Sequence, residues 1–315
     1  MNIALLDTAT LGEDLDLSPI LRLGTATVYK TTLPEQVRER LVDADVVVVN
    51  KLKLNESNLS NAARLKLICV TATGYDNIDT AYCRSRGIAL CNVPGYSTDS
   101  VAQLTLAMAL SLVGHLTEYR RFVHSGDYTR SGVANSLVPV YHEISSMTWG
   151  IVGGGAIGTR VAELASAFGA HILMHRRTPD DRYEQVDMDE LCRRSDIISL
   201  HVPLNDGTHH LINRTRIALM KPDAILINMA RGAVTDEEAL ADAVEQGKIG
   251  GLGVDVYSRE PFGEDHPFQR LLHYDNVCLT PHMAWGSAQA RARCVAIIAE
   301  NITHFFEGSS QNRIV

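Results

Sequence analysis

The feature that most constrains the fold of this chain is a glycine-rich turn that directly follows an apolar run. Residues Trp149–Gly158 read W-G-I-V-G-G-G-A-I-G, so that Gly153, Gly155 and Gly158 are spaced as G-x-G-x-x-G. In a dinucleotide-binding unit the first glycine permits a tight turn, the second lets a pyrophosphate approach the backbone, and the third lets the helix pack against the sheet. The N-terminus of that helix attracts phosphate. The turn therefore predicts a nucleotide site in a parallel α/β sheet.

The segments after the turn support this interpretation, because a glycine-rich turn alone often only closes a strand–helix unit. The residues from Val161 to Phe168 fit a helix that Gly169 ends, and His171–Met174 fits the next strand. The segment therefore has the strand–turn–helix–strand order that the motif requires.

The residue that follows this second strand indicates which dinucleotide is bound. Sites for NAD place Asp or Glu there, against the adenosine ribose hydroxyls. This chain has Arg176, 18 residues after Gly158, flanked by His175 and Arg177. Guanidinium groups bind a 2′-phosphate through charge-assisted hydrogen bonds, whereas a carboxylate would repel it. The pattern favours NADP(H), leaves NAD(H) possible, and has the alternative that both arginines are solvated surface charges.

Composition limits the classes of partner. The chain has 315 residues, 45% of them apolar, which suggests about two globular domains. A formal net charge of −8 argues against a nucleic-acid or anionic-membrane partner. No run reaches the length of a membrane span, Met1 leads directly into an apolar strand, and the six cysteines form no C-x-x-C pair. We therefore expect a cytoplasmic protein with reduced thiols and no metal site.

The N-terminal part alternates short apolar runs with polar, helix-compatible stretches. Strands are predicted at Ile3–Leu6, Val46–Val49, Leu67–Val70 and Ile88–Cys91, and a helix at Pro34–Val42. This alternation predicts a small parallel sheet whose functional loops lie at the strand C-terminal ends.

Two of these loops are candidate substrate contacts. Lys51 follows the second predicted strand, and the turn Thr71–Tyr75, which contains Thr73 and Gly74, follows the third. Such a turn can point backbone N–H groups at an anion. Lys51 is either a solvated side chain or a substrate contact.

The middle of the chain reads as one long apolar helix. The pattern runs from Ser100 to Phe122, with Asp99 or Ser100 as a reasonable N-cap. So apolar a helix is expected to be buried nearly all round, between domains or against a second subunit. The polar segment Ser125–His142 is typical of an arm or linker.

The C-terminal half continues the alternation of strands and helices. Strands are predicted at Asp196–Leu200, Ala224–Asn228, Gly251–Val256 and Val277–Leu279, and helices at Asp236–Gln246 and Arg291–Phe306. The predicted fold is therefore α/β, with two Rossmann/flavodoxin-like doubly wound parallel-sheet domains. An interdomain cleft is the expected place for a substrate.

Three polar residues follow the late strands. Arg231 lies in N-M-A-R-G, Glu260 in D-V-Y-S-R-E-P and His282 in T-P-H. A guanidinium can bind the carboxylate and carbonyl oxygens of a 2-keto acid, and an imidazole can protonate the carbonyl oxygen as hydride reaches carbon. A carboxylate paired with that imidazole favours its charged form. Singly, each residue also has a structural explanation, as an ion pair, a turn cap or a core histidine.

These motifs together resemble the D-isomer-specific 2-hydroxyacid dehydrogenases nearly end to end. The matching segments are T-G-Y-D-N-I-D at Thr73–Asp79, N-V-P-G-Y-S-T-D-S-V-A-Q at Asn92–Gln103, the glycine turn, and the three segments that carry Arg231, Glu260 and His282. Trp285 and Y-S-T-D-S-V-A-Q make the chain most similar to the glycerate dehydrogenase/hydroxypyruvate and glyoxylate reductase branch. One departure is Arg176, where the family usually has Asp.

The resemblance implies roles for further residues. Arg231, Glu260 and His282 would be the catalytic set, and Thr73 and Gly74 would help to hold the substrate carboxylate or the cofactor. Trp285 would join Lys51 and Arg231 among the substrate contacts. The cofactor would be lined by Ala156, Ile157, Val202, Pro203, Ala230 and Asp255, in addition to the glycines and His175–Arg177.

The resemblance also implies a domain arrangement. A discontinuous substrate-binding domain, 1–98 plus 286–315, would surround a dinucleotide-binding domain, 99–285, and members are typically homodimers joined through the latter. The expected activity is NADPH-dependent reduction of hydroxypyruvate or glyoxylate to the D-2-hydroxy acid. The alternatives are a D-lactate-type or broad-specificity 2-keto-acid reductase and, from another class, a nucleotide-binding corepressor.

Overall fold

The chain forms two compact units. A computed structural model describes residues 1–178 and 181–315, and it divides them into Met1–Ser97 with Gly286–Val315, and Thr98–Trp285. Each unit has its own parallel sheet, so the predicted fold class, α/β with two doubly wound parallel sheets, is confirmed. The assignment of substrate binding to the first unit stays a prediction.

The first unit contains a five-stranded parallel sheet in the order β2-β1-β3-β4-β5. The strands are β1 (Asn2–Leu5), β2 (Thr25–Val28), β3 (Val46–Val49), β4 (Leu67–Val70) and β5 (Ala89–Cys91). The helices are α1 (Ser18–Leu21), α2 (Pro34–Arg40), α3 (Glu56–Leu59), α4 (Thr80–Arg86) and, from the end of the chain, α12 (Ala288–Phe306), with a 3₁₀ turn at Thr8–Leu11. This strand order is that of flavodoxin-like sheets, whose binding crevice lies at the C-terminal ends of the strands.

The central strands are buried on both faces, as parallel strands between helical layers must be. β3 consists of four valines, all buried, and β4 is buried throughout. β-branched side chains suit such a strand because they are stiff and pack well on a pleated surface. β2 is largely exposed at the edge, and its sequence T-A-T-V has no apolar run that would have predicted it.

The C-terminal segment completes the first unit. Ser287 caps α12 by accepting a hydrogen bond from the Ala290 N–H, and the buried Asn301 donates to the carbonyl of Asn92 after β5. The last residues pair with β5, where the N–H of Ile314 donates to the carbonyl of Leu90 at 2.7 Å. The two ends of the chain thus build one unit.

The second unit contains a seven-stranded parallel sheet in the order β12-β11-β10-β9-β6-β7-β8. The strands are β6 (Thr148–Val152), β7 (His171–His175), β8 (Glu184–Gln185), β9 (Ile197–Leu200), β10 (Ile225–Asn228), β11 (Gly251–Val254) and β12 (Val277–Leu279). The helices are α5 (Thr98–Val113), α6 (Leu116–His124), α7 (Asp127–Ser131), α8 (Ala156–Ala167), α9 (Met188–Arg194), α10 (Arg214–Ile217) and α11 (Glu237–Glu245), with 3₁₀ turns at Ile144–Ser146, Gly232–Val234 and Pro267–Leu271. If β6 is counted as the first strand, the order β8-β7-β6-β9-β10-β11 is the Rossmann order 3-2-1-4-5-6.

The prediction of one helix from Ser100 to Phe122 is wrong. α5 ends at Val113, and α6 starts at Leu116 after a bend of 60°. The break follows from Gly114 and from His115, whose φ of 48° is left-handed and ends a helix. The N-cap prediction is also wrong, because α5 already begins at Thr98.

Burial differs between the two helices, which corrects the expectation of burial along the whole segment. α5 has eight buried residues, and α6 has none. Within the described ranges, no single helix is long and apolar enough to cross a bilayer; α5 and α6 satisfy that length and composition only as a bent pair. The segment Ser125–His142 is irregular apart from α7.

Candidate active site

The glycine-rich turn connects β6 to α8 at the point where the strand order reverses, between β6 and β9. Gly153 has a φ of 103°, and a Cβ there would lie 2.6 Å from the carbonyl oxygen of His201. A Cβ at Gly158 would lie 1.8 Å from the carbonyl oxygen of Gly153. The fold itself therefore requires glycine at both positions, one for its backbone conformation and one for close packing.

Gly155 differs from these two glycines because neither packing nor conformation requires it. A Cβ there would meet no atom of the described residues within 4 Å, and its φ of −76° is open to any residue. Gly155 is the N-cap of α8 and has no side chain with which to cap the helix. The N-terminus of the 12-residue helix thus has the free approach that a phosphate group needs.

Arg176 lies next to this turn. A Cβ added at Gly154 would lie 2.7 Å from Nε and 2.9 Å from Cζ of Arg176, so the guanidinium passes over the turn. Arg177 is exposed, and the ring of His175 contacts the carbonyl of Val186 through Nδ1 at 3.1 Å. The structure therefore brings Arg176 to the glycine turn but directs His175 toward a neighbouring strand segment.

A buried polar cluster lies beneath the turn. Ser199 Oγ accepts a hydrogen bond from Trp149 Nε1 at 3.0 Å and contacts His201 Nε2, also at 3.0 Å. His201 Nδ1 is buried and has no hydrogen-bond partner among the described residues. Burial disfavours the charged imidazole and lowers the pKa of His201 from 6.5 to about 3.

The three predicted catalytic residues follow neighbouring strands of the sheet. Arg231 follows β10, Glu260 follows β11 and His282 follows β12, and these strands are adjacent and parallel. Because the C-terminal ends of parallel strands meet at one edge, the three loops share the same edge of the second unit.

Direct contacts join the first two of these loops. A Cβ at Gly232 would lie 2.0 Å from the backbone N of Ser258 and 2.0 Å from the carbonyl carbon of Tyr257. The dipeptide Arg231–Gly232 therefore packs against the turn that carries Glu260, and only glycine permits that approach. Asn228 holds the Arg231 loop by donating to the Arg231 carbonyl at 2.9 Å.

Glu260 and His282 form a hydrogen-bonded pair. His282 Nδ1 lies 2.6 Å from Glu260 Oε2, and both side chains are partly exposed, at 22% and 29%. The other oxygen of Glu260 accepts the Tyr257 N–H at 3.0 Å, and the Tyr257 hydroxyl donates to the Thr280 carbonyl at 2.8 Å. The carboxylate is thus fixed in orientation on one side and bonded to the imidazole on the other.

The backbone at His282 is strained and is held in place by Asp255. His282 has a φ of 52°, a left-handed conformation that is uncommon for a side chain other than glycine. The carboxylate of Asp255 accepts hydrogen bonds from the Thr280 hydroxyl at 2.6 Å and from the N–H groups of Met283 and Ala284, both at 2.9 Å. Asp255 therefore binds the chain on both sides of His282. Its own burial raises the pKa of this carboxyl.

The remaining predicted cofactor residues also lie in the second unit. Val202 packs beside Gly153, and Pro203 accepts a hydrogen bond from the Thr208 hydroxyl. Ala230 is 5% exposed, and its carbonyl accepts from Arg231 Nη1 at 2.8 Å. Ala156 is exposed in the first turn of α8, and Ile157 packs partly against the core.

Of the predicted substrate contacts other than Arg231, three lie in the first unit and one in the second. Lys51 is exposed, and its N–H donates to the buried Asp7 carboxylate at 2.7 Å. The Thr73 hydroxyl donates to the Val93 carbonyl at 2.9 Å, and Gly74 follows it in the same turn. Trp285 packs partly against the core of the second unit. Substrate binding by these four residues stays a prediction.

Three residues that support this site were not predicted from the sequence: Glu237, Ser258 and Thr280. Asp255, which binds Thr280, was predicted. Glu237 accepts hydrogen bonds from Ser258, 21 residues away, and Asp255 accepts one from Thr280, 25 residues away. No local sequence pattern reports such pairs. Among residues 1–178 and 181–315, no cluster of metal-ligating side chains is present.

Comparison with known proteins gives consistent matches. The sequence model of the D-isomer specific 2-hydroxyacid dehydrogenase NAD binding domain matches residues 106–284. Glyoxylate reductase of Thermococcus litoralis is 39% identical over 90% of this chain and 86% of its own. Hydroxypyruvate reductase of Blautia hydrogenotrophica is 33% identical over 99% of both chains.

A solved structure supports the same relationship. D-lactate dehydrogenase of Aquifex aeolicus, determined with NAD and lactic acid, superposes with a TM-score of 0.88. It is 32% identical, and the match covers 100% of this chain and 99% of that chain.

The partly buried His201, whose Nδ1 atom is enclosed, predicts a loss of stability in acid. Its pKa of about 3 lies below the value near 6.5 in an unfolded chain, so the unfolded state binds more protons at intermediate pH. The free energy of unfolding therefore falls as pH falls from about 6.5 toward 3, with about 2 kcal/mol lost between pH 7.5 and 5. In His201→Gln this part of the pH dependence should vanish, whereas exposed His124→Gln should behave as wild type in urea unfolding at both pH values. Equal pH dependence in wild type and His201→Gln would contradict the assignment.

Proposed function

Because the chain belongs to the D-isomer specific 2-hydroxyacid dehydrogenase family, we propose that it reduces small 2-keto acids to D-2-hydroxy acids, with hydroxypyruvate and glyoxylate as leading substrates. The chain is an oxidoreductase with a nicotinamide-nucleotide domain. The observation that supports the reductase assignment most is the 2.6 Å bond between His282 and Glu260 at the sheet edge that also carries Arg231.

Arg231 is the proposed anchor of the substrate. Its guanidinium is always charged, and its planar fork matches a carboxylate in a bidentate arrangement. The remaining N–H groups can polarise the adjacent carbonyl oxygen and stabilise the negative charge that develops there. Lys51, Thr73, Gly74 and Trp285 are proposed as further substrate contacts.

His282 is the proposed general acid. Its Nδ1 is bonded to Glu260, so the proton is delivered from Nε2 to the carbonyl oxygen of the substrate as that oxygen becomes an alkoxide. The Glu260 carboxylate orients the ring through this hydrogen bond. Since the pair is partly exposed, solvent can return a proton to His282 after each turnover.

The glycine turn fits a nicotinamide dinucleotide. NADPH, when bound, supplies the hydride that converts the carbonyl carbon to the alcohol carbon. Gly155 leaves open space at the N-terminus of α8, where its lack of a side chain leaves room for a pyrophosphate. Ala156, Ile157, Val202, Pro203, Ala230 and Asp255 are proposed to line the rest of this site.

We infer a preference for NADPH from Arg176. Its guanidinium passes over the glycine turn, where the family usually places a carboxylate on the ribose. Arg177, which is exposed, adds a second positive charge beside Arg176. A 2′-phosphate at this position would form charge-assisted hydrogen bonds with the guanidinium.

Two other functions remain as alternatives. A D-lactate-type or broad-specificity reductase would use the same three residues and differ in the substrate side pocket. A nucleotide-binding corepressor would not need the His282–Glu260 pair, and the presence of that pair favours the enzyme.

We also propose that two copies of the chain associate through the second unit. Exposed apolar side chains concentrate on α6 and on the segment that follows α7, including Leu137 at 70%, Val138 at 79% and Val140 at 69% exposure. A concentration of exposed apolar side chains is typical of a protein interface.

Turnover of a panel of 2-keto acids with NADPH tests the function. Hydroxypyruvate and glyoxylate should be reduced with the highest kcat/KM, and His282→Asn should lower kcat by about 10²–10⁴-fold with little change in NADPH binding. Pyruvate as the best substrate would favour the D-lactate-type alternative. No turnover of any 2-keto acid would exclude the reductase and favour the corepressor.

Substitution of Arg176 tests the cofactor preference. Arg176→Asp should lower the ratio of kcat/KM with NADPH to that with NADH by about 10–100-fold, because a charge-assisted hydrogen bond is lost and a repulsive charge is gained. Arg193→Asp, the same charge change at an exposed position on α9, is the control. An unchanged ratio in Arg176→Asp would show that this residue does not contact the phosphate.

Analytical ultracentrifugation tests the association. The wild-type chain should sediment as a dimer, and the double variant Leu137→Glu/Val140→Glu should sediment as a monomer because two charges would be buried unpaired. Leu272→Glu, at a residue that is 60% exposed elsewhere in the same unit, should leave the dimer intact. A wild-type monomer, or a dimeric double variant, would contradict this interface.

A further inference from the structure

A buried carboxylate lies beneath the turn that carries Glu260. Glu237 is in the first turn of α11 and is 8% exposed. It does not cap the helix, because Asp236 accepts the Ala239 N–H and serves as the N-cap. Burying a carboxylate costs free energy unless its oxygens are hydrogen-bonded. The contacts of Glu237 therefore indicate its role.

Both oxygens of Glu237 are engaged. Oε1 accepts the backbone N–H of Ser258 at 2.9 Å, and Oε2 accepts the Ser258 hydroxyl. Oε2 also lies 3.1 Å from Nε2 of the buried His266. Since His266 Nδ1 accepts the Phe268 N–H at 3.2 Å, the ring proton is on Nε2, which donates to Glu237. The carboxylate is therefore fixed from the interior by His266 and holds Ser258 by two bonds.

Only Arg259 separates Ser258, which Glu237 holds, from Glu260 of the catalytic pair. Ser258 follows Tyr257, whose N–H donates to Glu260 Oε1, and Glu260 Oε2 in turn contacts His282. Ser258 is exposed, so without Glu237 its two donors would bond to water and would not fix the turn. The close approach of Gly232 to the same backbone means that a shift of this turn would also disturb the Arg231 loop.

We propose that Glu237 is a positioning residue that, through Ser258, holds Glu260 in register with His282. The proposal rests on the proposed reductase function for its kinetic consequence, but the orientation of the pair can be measured without a substrate. His266 serves as the internal support of Glu237. Glu237 thus acts through Ser258, since its oxygens bond to Ser258 and His266.

Three variants separate positioning from charge. Glu237→Gln removes one acceptor and the charge, whereas Ser258→Ala removes only the hydroxyl bond and leaves both carboxylates charged. Glu238→Gln is the matched control, because Glu238 is the next residue of the same helix turn and forms an exposed ion pair with Arg270 at 2.9 Å. All four proteins are compared by thermal melting before kinetics.

The kinetic readout is kcat for 2-keto-acid reduction together with NADPH affinity. We expect kcat to fall about tenfold in Glu237→Gln and several-fold in Ser258→Ala, with unchanged NADPH affinity, since small misplacements of catalytic groups reduce rates strongly. Glu238→Gln should match wild type. Wild-type kcat in both Glu237→Gln and Ser258→Ala would overturn the proposal.

The second readout is the NMR signal of the His282 Nδ1 proton, which is assigned by its absence in His282→Asn. A short hydrogen bond to Glu260 moves this signal downfield, so a looser Glu260 should move it upfield in Glu237→Gln and Ser258→Ala and leave it unchanged in Glu238→Gln. An unchanged chemical shift in both test variants would overturn the proposal. A wild-type protein without 2-keto-acid turnover would refute the proposed function, and the chemical shifts would still decide the role of Glu237. If Glu237→Gln does not fold, Ser258→Ala decides alone.

Discussion

The hydrogen bond between His282 and Glu260 joins two turns that are distant in sequence. The two residues are 22 positions apart, and their loops follow different strands. His282 keeps a left-handed backbone, which costs about 1–3 kcal/mol and persists only where the surroundings determine it fully. Asp255 holds this backbone conformation by accepting three hydrogen bonds from residues around His282. The imidazole is therefore placed by the loop itself and oriented by Glu260.

The parallel sheet makes this arrangement possible. β10, β11 and β12 are neighbours in one sheet, and each presents its C-terminal loop at the same edge. The glycine turn after β6 is at that edge as well, where the strand order reverses. A nucleotide held at the turn and a substrate held by Arg231 would thus approach the same side of the second unit. Close backbone packing at Gly232 keeps two of the loops in fixed register.

Much of the fold could be predicted from local pattern, because buried parallel strands are apolar runs such as Val46–Val49. The edge strand Thr25–Val28 could not, since an exposed strand has no such run. The break between α5 and α6 could not be predicted, because Gly114 costs a helix only about 1 kcal/mol and the apolar pattern continues across it.

The residues of the candidate site also divide into those that a local sequence pattern predicts and those that it does not. Gly153, Gly158 and Arg176 could be found from spacing, because motif residues are close in sequence. The support from Glu237 and His266 could not, because these side chains meet across 29 residues through tertiary packing alone. Gly155 is the reverse case: its sequence position indicates a ligand, and the structure gives no internal reason for a glycine there.

A crystal structure with NADPH and oxamate, an unreactive 2-keto-acid analogue, tests the central claim most directly. The account predicts that the Arg231 guanidinium binds the oxamate carboxylate and that His282 Nε2 lies about 2.6–3.2 Å from the oxygen that stands for the substrate carbonyl, with Glu260 still bonded to Nδ1. Oxamate bound away from Arg231, or an imidazole that faces away from that oxygen, would contradict it.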